Sequence, residues 1–299
     1  MPVSPATTQI ADAPGYLTDE QLRQYDEIGY VVLEDLLDEA DLSGVKDAMQ
    51  NKVDVMAKAW LASGLIPEPY ADEPFEARLA KIASHLTDEQ YLEHGRSWRD
   101  RDPGYYHLMS NPKVLNAVES LIGPEIFANP VYNTRPKVPG VAAGAVPWHQ
   151  DKSYWPDANS NPVITVWIAV VDATELNGCL HIWPRTHRKR VLGYHAETYS
   201  GTGFTEIDGE HLTKAEREMV ALPVEAGTAI LFNDRCIHMS TPNNAETVRW
   251  SVDLRYQPTD QDPMVDHGIG FLARSHEKPG AVATLGDWLA ERPEHEDGG

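Results

Sequence analysis

Up to Gly123-Pro124 the apolar residues of this chain recur every three or four positions, and beyond that point they fall into short β-rich runs cut by Gly, Pro, Asn and Asp. A period of 3.6 and a period of two cannot serve the same element, so the switch divides the chain into a helical first part and a strand-built remainder. In the first part Thr18 and Gln21 form a capping box for a helix that Gly29 ends, before the apolar run Tyr30-Val31-Val32-Leu33. Asp38 caps a long helix carrying the stripe Leu42, Val45, Met49, Val53, Met56 and Trp60. Further helical periods cover Phe75 to Leu86, Asp88 to about Trp98 and Asn111 to Ile122. After Pro124, strands are expected at Ile126 to Thr134, Val163 to Val171, Cys179 to Trp183, Met219 to Pro223, Thr228 to Phe232 and Val248 to Tyr256. Several short strands with long connections predict a mainly β sandwich or barrel with flanking helices.

No internal repeat or flexible linker divides the 299 residues, so the reading is one domain. Helical support spans 16–124, the β core 125–258, and a C-terminal segment near the pocket 259–289, with 1–15 and 290–299 expected to be frayed. The balance of 25 basic and 46 acidic side chains, net −21, argues against duplex nucleic acid, whose binding needs a basic face. The longest apolar stretch, Val163 to Val171 with Thr165 inside it, is far short of the ~20 residues of a membrane span. The first residues lack the basic and apolar regions of a secretory signal, which makes a cytoplasmic location the default expectation. Cys179 and Cys236 lie in apolar segments and read as reduced, buried thiols.

The segment Trp148-His149-Gln150-Asp151 sets a histidine and a carboxylate two residues apart, on one face if the segment is a strand. Such a pair is common by chance, and His295 with Asp297 forms a second one in the tail. The first pair gains weight from His238, which follows the apolar strand Thr228 to Phe232 and its turn Asn233-Asp234-Arg235. Two histidines and a carboxylate are the ligand set of non-haem Fe(II) oxygenases. Eleven residues past His238 comes Arg249, in an alternating strand where it shares one face with Ser251, Asp253 and Arg255 while Val, Trp, Leu and Tyr take the other. Two readings of that polar face stand: a surface strand in water, or the lining of a cavity where an arginine needs an anionic partner. A dicarboxylate meets the second requirement.

His149-Gln150-Asp151, His238 and Arg249 resemble the iron site and co-substrate anchor of the phytanoyl-CoA dioxygenase-like Fe(II)/2-oxoglutarate oxygenases, which include ectoine hydroxylase. The resemblance extends through Val166-Trp167-Ile168-Ala169, Asn177-Gly178-Cys179-Leu180 and Pro184-Arg185-Thr186-His187-Arg188, in order, from about residue 125 to 256. It implies a double-stranded β-helix of the jelly-roll or cupin-like type, with His149, Asp151 and His238 on Fe(II) and Arg249 on the distal carboxylate of 2-oxoglutarate. Trp167, Ser240, Asn133 and Asn129 are its further co-substrate candidates, the two asparagines taken as four apart on one strand. Tyr154 and Trp155 are candidates for contacting a small-molecule substrate, and Arg185, in the basic cluster 185–190, for steering an anionic one. The leading reading of that cluster is a solvated turn, and the family's small glycine-serine step before the position of His187 is missing here.

The activity so implied consumes O2 and 2-oxoglutarate, releases succinate and CO2, and hydroxylates a C–H bond, the intact Asp151 favouring hydroxylation over halogenation. Two other classes fit parts of the pattern. A jelly-roll module that binds a metal or 2-oxoglutarate without turnover needs the same residues. A cupin-like metal isomerase or hydrolase leaves Arg249 without a partner.

Overall fold

The computed structural model describes residues 14–95, 98, 101–141, 144–154, 163–196, 204–211, 218–261 and 270–290. Helices α1 (Asp19–Ile28), α2 (Glu39–Ala62), α3 (Phe75–Ala83), α4 (Asp88–Gly95), α5 (Pro103–Met109) and α6 (Pro112–Ile122) fill the first part, and strand β1 (Tyr30–Leu33) lies between α1 and α2. The caps form where the sequence places them: Thr18 and Gln21 close a reciprocal box on α1, and Asp38 with Asp41 does the same for α2. Helix α5 escapes the periodicity because it is only seven residues long. Asp102 caps it and Pro103 opens it, a start signal present in the sequence.

The strands follow as β2 (Ile126–Ala128), β3 (Asn133–Lys137), β4 (Val146–His149), β5 (Ile164–Ala169), β6 (Leu180–Trp183), β7 (Tyr194–Ala196), β8 (Thr205–Ile207), β9 (Val220–Leu222), β10 (Ala229–Asn233), β11 (Ile237–Ser240), β12 (Arg249–Pro258) and β13 (Phe271–Arg274), before a last helix α7 (Leu285–Ala290). One antiparallel sheet runs β1-β10-β5-β12-β2-β13, with β3 paired to the first half of β12; a second runs β4-β11-β6-β9. The expected strand Ile126 to Thr134 is two strands, β2 and β3, both hydrogen-bonded to β12 but at different stretches of it. Asn129 lies in the connection between them and Asn133 opens β3, so the asparagines are not on one strand.

Alternation sorts each strand of the larger sheet between two cores. Val31 and Leu33, Ile164, Val166 and Ile168, and Trp250, Val252, Leu254 and Tyr256 face the helices in the main apolar core. Tyr30, Trp167, Ala169, Ile230 and Phe232 face the smaller sheet and pack on Leu180, Ile182 and Leu222 from it. The architecture is a double-stranded β-helix, a jelly-roll with helices covering one side, as the resemblance implies. Cys179 and Cys236 are free and buried between the sheets. The described C-terminal segment extends the outer edge of the larger sheet through β13, and Trp288 packs on Tyr106 and Phe271. Its remaining part from Asp262 to 269, read as a pocket lid, lies outside the described residues, as do His295 and Asp297. Among the described residues no helix is long and apolar enough to cross a membrane.

Two glycines set the approach of the helices to one another. A Cβ at Gly104 of α5 would sit 2.1 Å from the Gly44 carbonyl oxygen on α2, and one at Gly44 would meet the Gly104 Cα at 3.4 Å. The crossing therefore tolerates no side chain at Gly104 without a shift of backbone, whereas a Cβ at Gly44 would make ordinary contact. Gly104→Ala is expected to destabilise the protein by about 1–3 kcal/mol through overpacking. Thermal unfolding checks this; a Tm equal to that of the unsubstituted protein would show that the helices separate there without cost.

Candidate metal centre

Strands β4 and β11 are antiparallel neighbours in the smaller sheet, and their register sets His149 directly opposite His238. The two rings lie with centroids 4.0 Å apart. Each imidazole is oriented from within its own strand: His149 Nδ1 donates to the Pro147 carbonyl at 2.8 Å and His238 Nδ1 donates to the Cys236 carbonyl at 2.9 Å. With Nδ1 protonated and committed, Nε2 of each ring is left as the lone-pair donor.

Asp151 is not on the strand. β4 ends at His149 and Asp151 opens a 3-10 turn over 151–154, so the two-residue strand spacing is not what unites the pair. The turn folds the carboxylate back under the rings, with Oδ1 3.5 Å from His149 Nε2 and 3.8 Å from His238 Nε2. His149, Asp151 and His238 are the group of buried ligands, among the described residues, whose donor atoms all lie within 4.8 Å of one another. Asp151 is fully buried. Its Oδ2 accepts from Thr165 Oγ1 at 2.6 Å and from Arg255 Nη2 at 3.1 Å, whereas Oδ1 has no hydrogen-bond partner. An orphaned buried carboxylate oxygen between two imidazole lone pairs is a donor set that fits a divalent cation, which His149, Asp151 and His238 would hold.

Electrostatics hold these groups in ligand form. Burial alone would raise the Asp151 carboxyl, but the Arg255 guanidinium, with smaller contributions from the two imidazoles, keeps it well below the usual carboxylate range. Burial and then the neighbouring His149 push the His238 imidazolium down to about 3, so the ring is neutral at pH 7.

The polar face of β12 points to the interior. Arg249, Ser251, Asp253 and Arg255 are all buried, which excludes the reading of that strand as a surface strand in water. Arg255 bridges Asp151 and Asp253, donating to Asp253 Oδ2 at 2.6 Å. Asp253 also accepts from Arg135 Nε at 3.0 Å and Asn133 Nδ2 at 2.8 Å. At the other end of the strand Arg249 donates to Ser251 Oγ, its guanidinium lies 5.4 Å from the centre of the Trp167 ring, and its Nε is buried without a partner. Directly across from Arg249 on β3 is Lys137, buried, donating to Ser240 Oγ at 2.7 Å and to the Thr241 carbonyl. Burial, then the charges of Arg249 and Arg135, hold the Lys137 amine well below its ordinary value, and burial likewise brings Arg249 to about 10. No carboxylate pairs with either cation among the described residues.

Of the other residues singled out in the sequence, Asn129 is buried and tied to Gln257 and to the Val131 amide. Tyr154 stands edge-on to His149 at 6.1 Å and takes a hydrogen bond from the Thr205 amide. Trp155 lies outside the described residues. Arg185 is exposed and its guanidinium pairs with Glu27 of α1 at 2.9 Å, while Arg188 pairs with Asp26. The basic cluster is thus joined to α1 and not to the triad, and the solvated-turn reading describes it. Lys137, Thr165, Asp253 and Arg255 were not singled out as site residues. Thr165 carries a signal, as the polar interruption of an apolar strand, and Asn133, Arg135 and Lys137 carry another, the alternation of polar side chains along β3.

Known proteins share this fold and sequence pattern. The human peroxisomal phytanoyl-CoA dioxygenase is 23% identical over 245 residues, covering 82% of this chain and 69% of that protein. The phytanoyl-CoA dioxygenase of Arabidopsis thaliana is 24% identical, covering 82% and 90%. Among solved structures, EctD from S. alaskensis with 2-oxoglutarate and 5-hydroxyectoine aligns with a TM-score of 0.53 at 20% identity, over 95% of this chain and 86% of that one. The apo non-heme monooxygenase ThoJ aligns with a TM-score of 0.54 at 20% identity, over 92% and 88%. The family model for phytanoyl-CoA dioxygenase matches residues 25–251, from within α1 to the start of β12, so all three candidate ligands fall inside the match. On that match the chain belongs to the phytanoyl-CoA dioxygenase family and is a dioxygenase dependent on iron and 2-oxoglutarate.

Proposed function

We propose that the protein hydroxylates a C–H bond of a small organic substrate while 2-oxoglutarate is decarboxylated to succinate and CO2. The observation that carries this reading is the pair of buried basic side chains, Lys137 and Arg249, facing one another across β3 and β12 with no carboxylate paired to either among the described residues. Two buried charges of one sign are costly unless a ligand supplies the opposite one. A dianion of which one end sits between Lys137 and Arg249 and the other reaches the triad meets that need, and 2-oxoglutarate is such a molecule. An isomerase or hydrolase of the cupin type has no use for this second anion site, which is why that reading is weaker.

Fe(II) held by His149, Asp151 and His238 supplies dioxygen activation. The protein's part is placement. Arg249 is kept in one orientation by Ser251 and by the face of Trp167, and Lys137 by Ser240 and the Thr241 carbonyl, so the distal carboxylate meets a preformed pair of donors. Tyr154, beside His149 and pinned by the Thr205 amide, lines the side on which a substrate would approach. A small molecule suits this enclosed interior, and structural neighbours have been solved with 5-hydroxyectoine and with nogalamycin RO.

Succinate release measured across a panel of small molecules, with the product checked by mass for one added oxygen, tests the reaction. Succinate released with every product unoxidised would reject hydroxylation. Without oxygen, Fe(II) and 2-oxoglutarate together should give a weak visible charge-transfer band that His149→Ala or His238→Ala abolishes; a band surviving in both variants removes these ligands.

Arg249→Ala and Lys137→Met should each weaken 2-oxoglutarate binding roughly 10- to 100-fold, the value of one or two charged hydrogen bonds. Lys137→Met should at the same time raise the Tm of the metal-free protein, because a buried amine crowded by Arg249 and Arg135 gives way to an apolar chain of similar length. Unaltered co-substrate affinity in both variants would mean that another group does the anchoring.

Binding should also move a proton. The Lys137 amine is held down in the free protein, and an adjacent carboxylate raises it, so 2-oxoglutarate binding takes up protons at a pH between the two values. Calorimetry in buffers of different ionisation enthalpy, repeated over a series of pH values, reads that uptake, and zero uptake at every pH would show that Lys137 does not change charge on binding.

A further inference from the structure

Asp151 reaches the centre from the smaller sheet, but what grips it belongs to the larger one. Thr165 on β5 and Arg255 on β12 are direct cross-strand partners, and both donate to the same oxygen, Oδ2. Arg255 is itself fixed from behind by Asp253 Oδ2 at 2.6 Å, and it contacts the Val131 carbonyl at 3.4 Å. Turning Oδ2 toward the imidazoles would break two hydrogen bonds, one of them charged, inside a fully buried site. The other oxygen, Oδ1, is the one left without a partner and lies within 4 Å of both Nε2 atoms.

We propose that Thr165 and Arg255 form a preformed socket for one carboxylate oxygen, which makes Asp151 a single-oxygen metal ligand and which still accepts a small carboxylate when the Asp151 side chain is removed. The inference rests on the reading of the triad as a metal centre and adds to it two positioning residues. A carboxylate free to turn could offer a divalent ion both oxygens and so occupy a position that the co-substrate or dioxygen needs. The socket prevents that by satisfying one oxygen before any metal arrives. Because its two donors sit on β5 and β12, they stay in place when the turn that carries Asp151 loses its side chain. Formate has the same head group: one oxygen fits the socket and the other points where Oδ1 points now.

Co(II) binding to the metal-free protein, followed by calorimetry and by the visible bands of the bound ion, tests this without turnover. Thr165→Val removes one socket donor at nearly constant volume and should weaken Co(II) binding by about 10-fold or more and shift the bands, as loss of an outer partner of a ligand does. Asp151→Gly should weaken it further, and sodium formate should recover at least about 10-fold of that loss where formamide recovers none. Adding Thr165→Val to Asp151→Gly should abolish the recovery. Arg255→Lys, which keeps the charge and loses the fork, should fall between wild type and Thr165→Val. Arg255→Met strips two buried carboxylates of their shared cation and threatens folding, so the milder variants carry the test, each checked by far-UV circular dichroism and apo Tm.

Wild-type affinity and spectrum in Thr165→Val, or equal effects of formate and formamide on Asp151→Gly, would overturn the socket while leaving the metal centre intact. A wild-type protein that binds no Co(II), or a His149→Ala variant that binds it equally well, would overturn the metal centre itself and the socket with it.

Discussion

One pairing register underlies the site: β4 and β11 align so that His149 stands opposite His238. A slip of one residue would turn one imidazole to the other face of the sheet and leave a single ligand where two are needed. The backbone carbonyls two residues before each histidine then fix the tautomers, so strand geometry alone prepares both nitrogen donors. The third ligand cannot come from the same ladder. It is delivered by the 3-10 turn that follows β4, and its carboxylate is received by donors on the opposite sheet. The ligands therefore tie the two sheets together across the barrel.

Charge inside the barrel is ordered rather than merely tolerated. Arg255 sits between Asp151 and Asp253, and Asp253 in turn between Arg255 and Arg135, a chain of alternating sign that is nearly self-compensating. At the far end of the same β12 face the alternation stops, and Arg249 meets Lys137 instead of an acid. A closed network of alternating charge thus stands beside the triad, while Arg249 on β12 faces Lys137 on β3 with no carboxylate paired to either among the described residues. The closed half supplies rigidity, since breaking any buried member leaves an unpaired charge at a cost of about 3–5 kcal/mol.

The apolar frame makes this possible. Period-two alternation lets each strand of the larger sheet give Val, Ile, Leu and Trp to the helices on one side, and polar or aromatic residues to the interior on the other. Helices α2 and α5, brought close at Gly44 and Gly104, add Leu42, Val45, Met49 and Leu108 to the core on the outer side of that sheet. Phe232 stands 4.6 Å from the His238 ring and Trp167 lies under Arg249, so the same inner face that stops being apolar at the site still packs its functional side chains against aromatic ones.

Much of this was legible in the chain itself. The caps at Thr18 and Asp38 and the stripe from Leu42 to Trp60 are local, and local patterns are decided by the residues that make them. So was the ligand set, because the residue types at 149, 151 and 238 and the arginine at 249 limit the chemistry before any folding is considered. Tertiary structure alone decided the rest. It separated Asn129 from Asn133 by ending β2 at Ala128, sent Arg185 to Glu27, and brought Lys137 across from Arg249 and Thr165 beside Arg255. Each of these depends on which strands become neighbours and in what register, and residues a hundred positions apart carry no local trace of that choice. Sequence by itself determined what the site could be made of; the pairing of β3, β5 and β12 determined which charges would be buried together, because only burial makes an unpaired cation demand a partner.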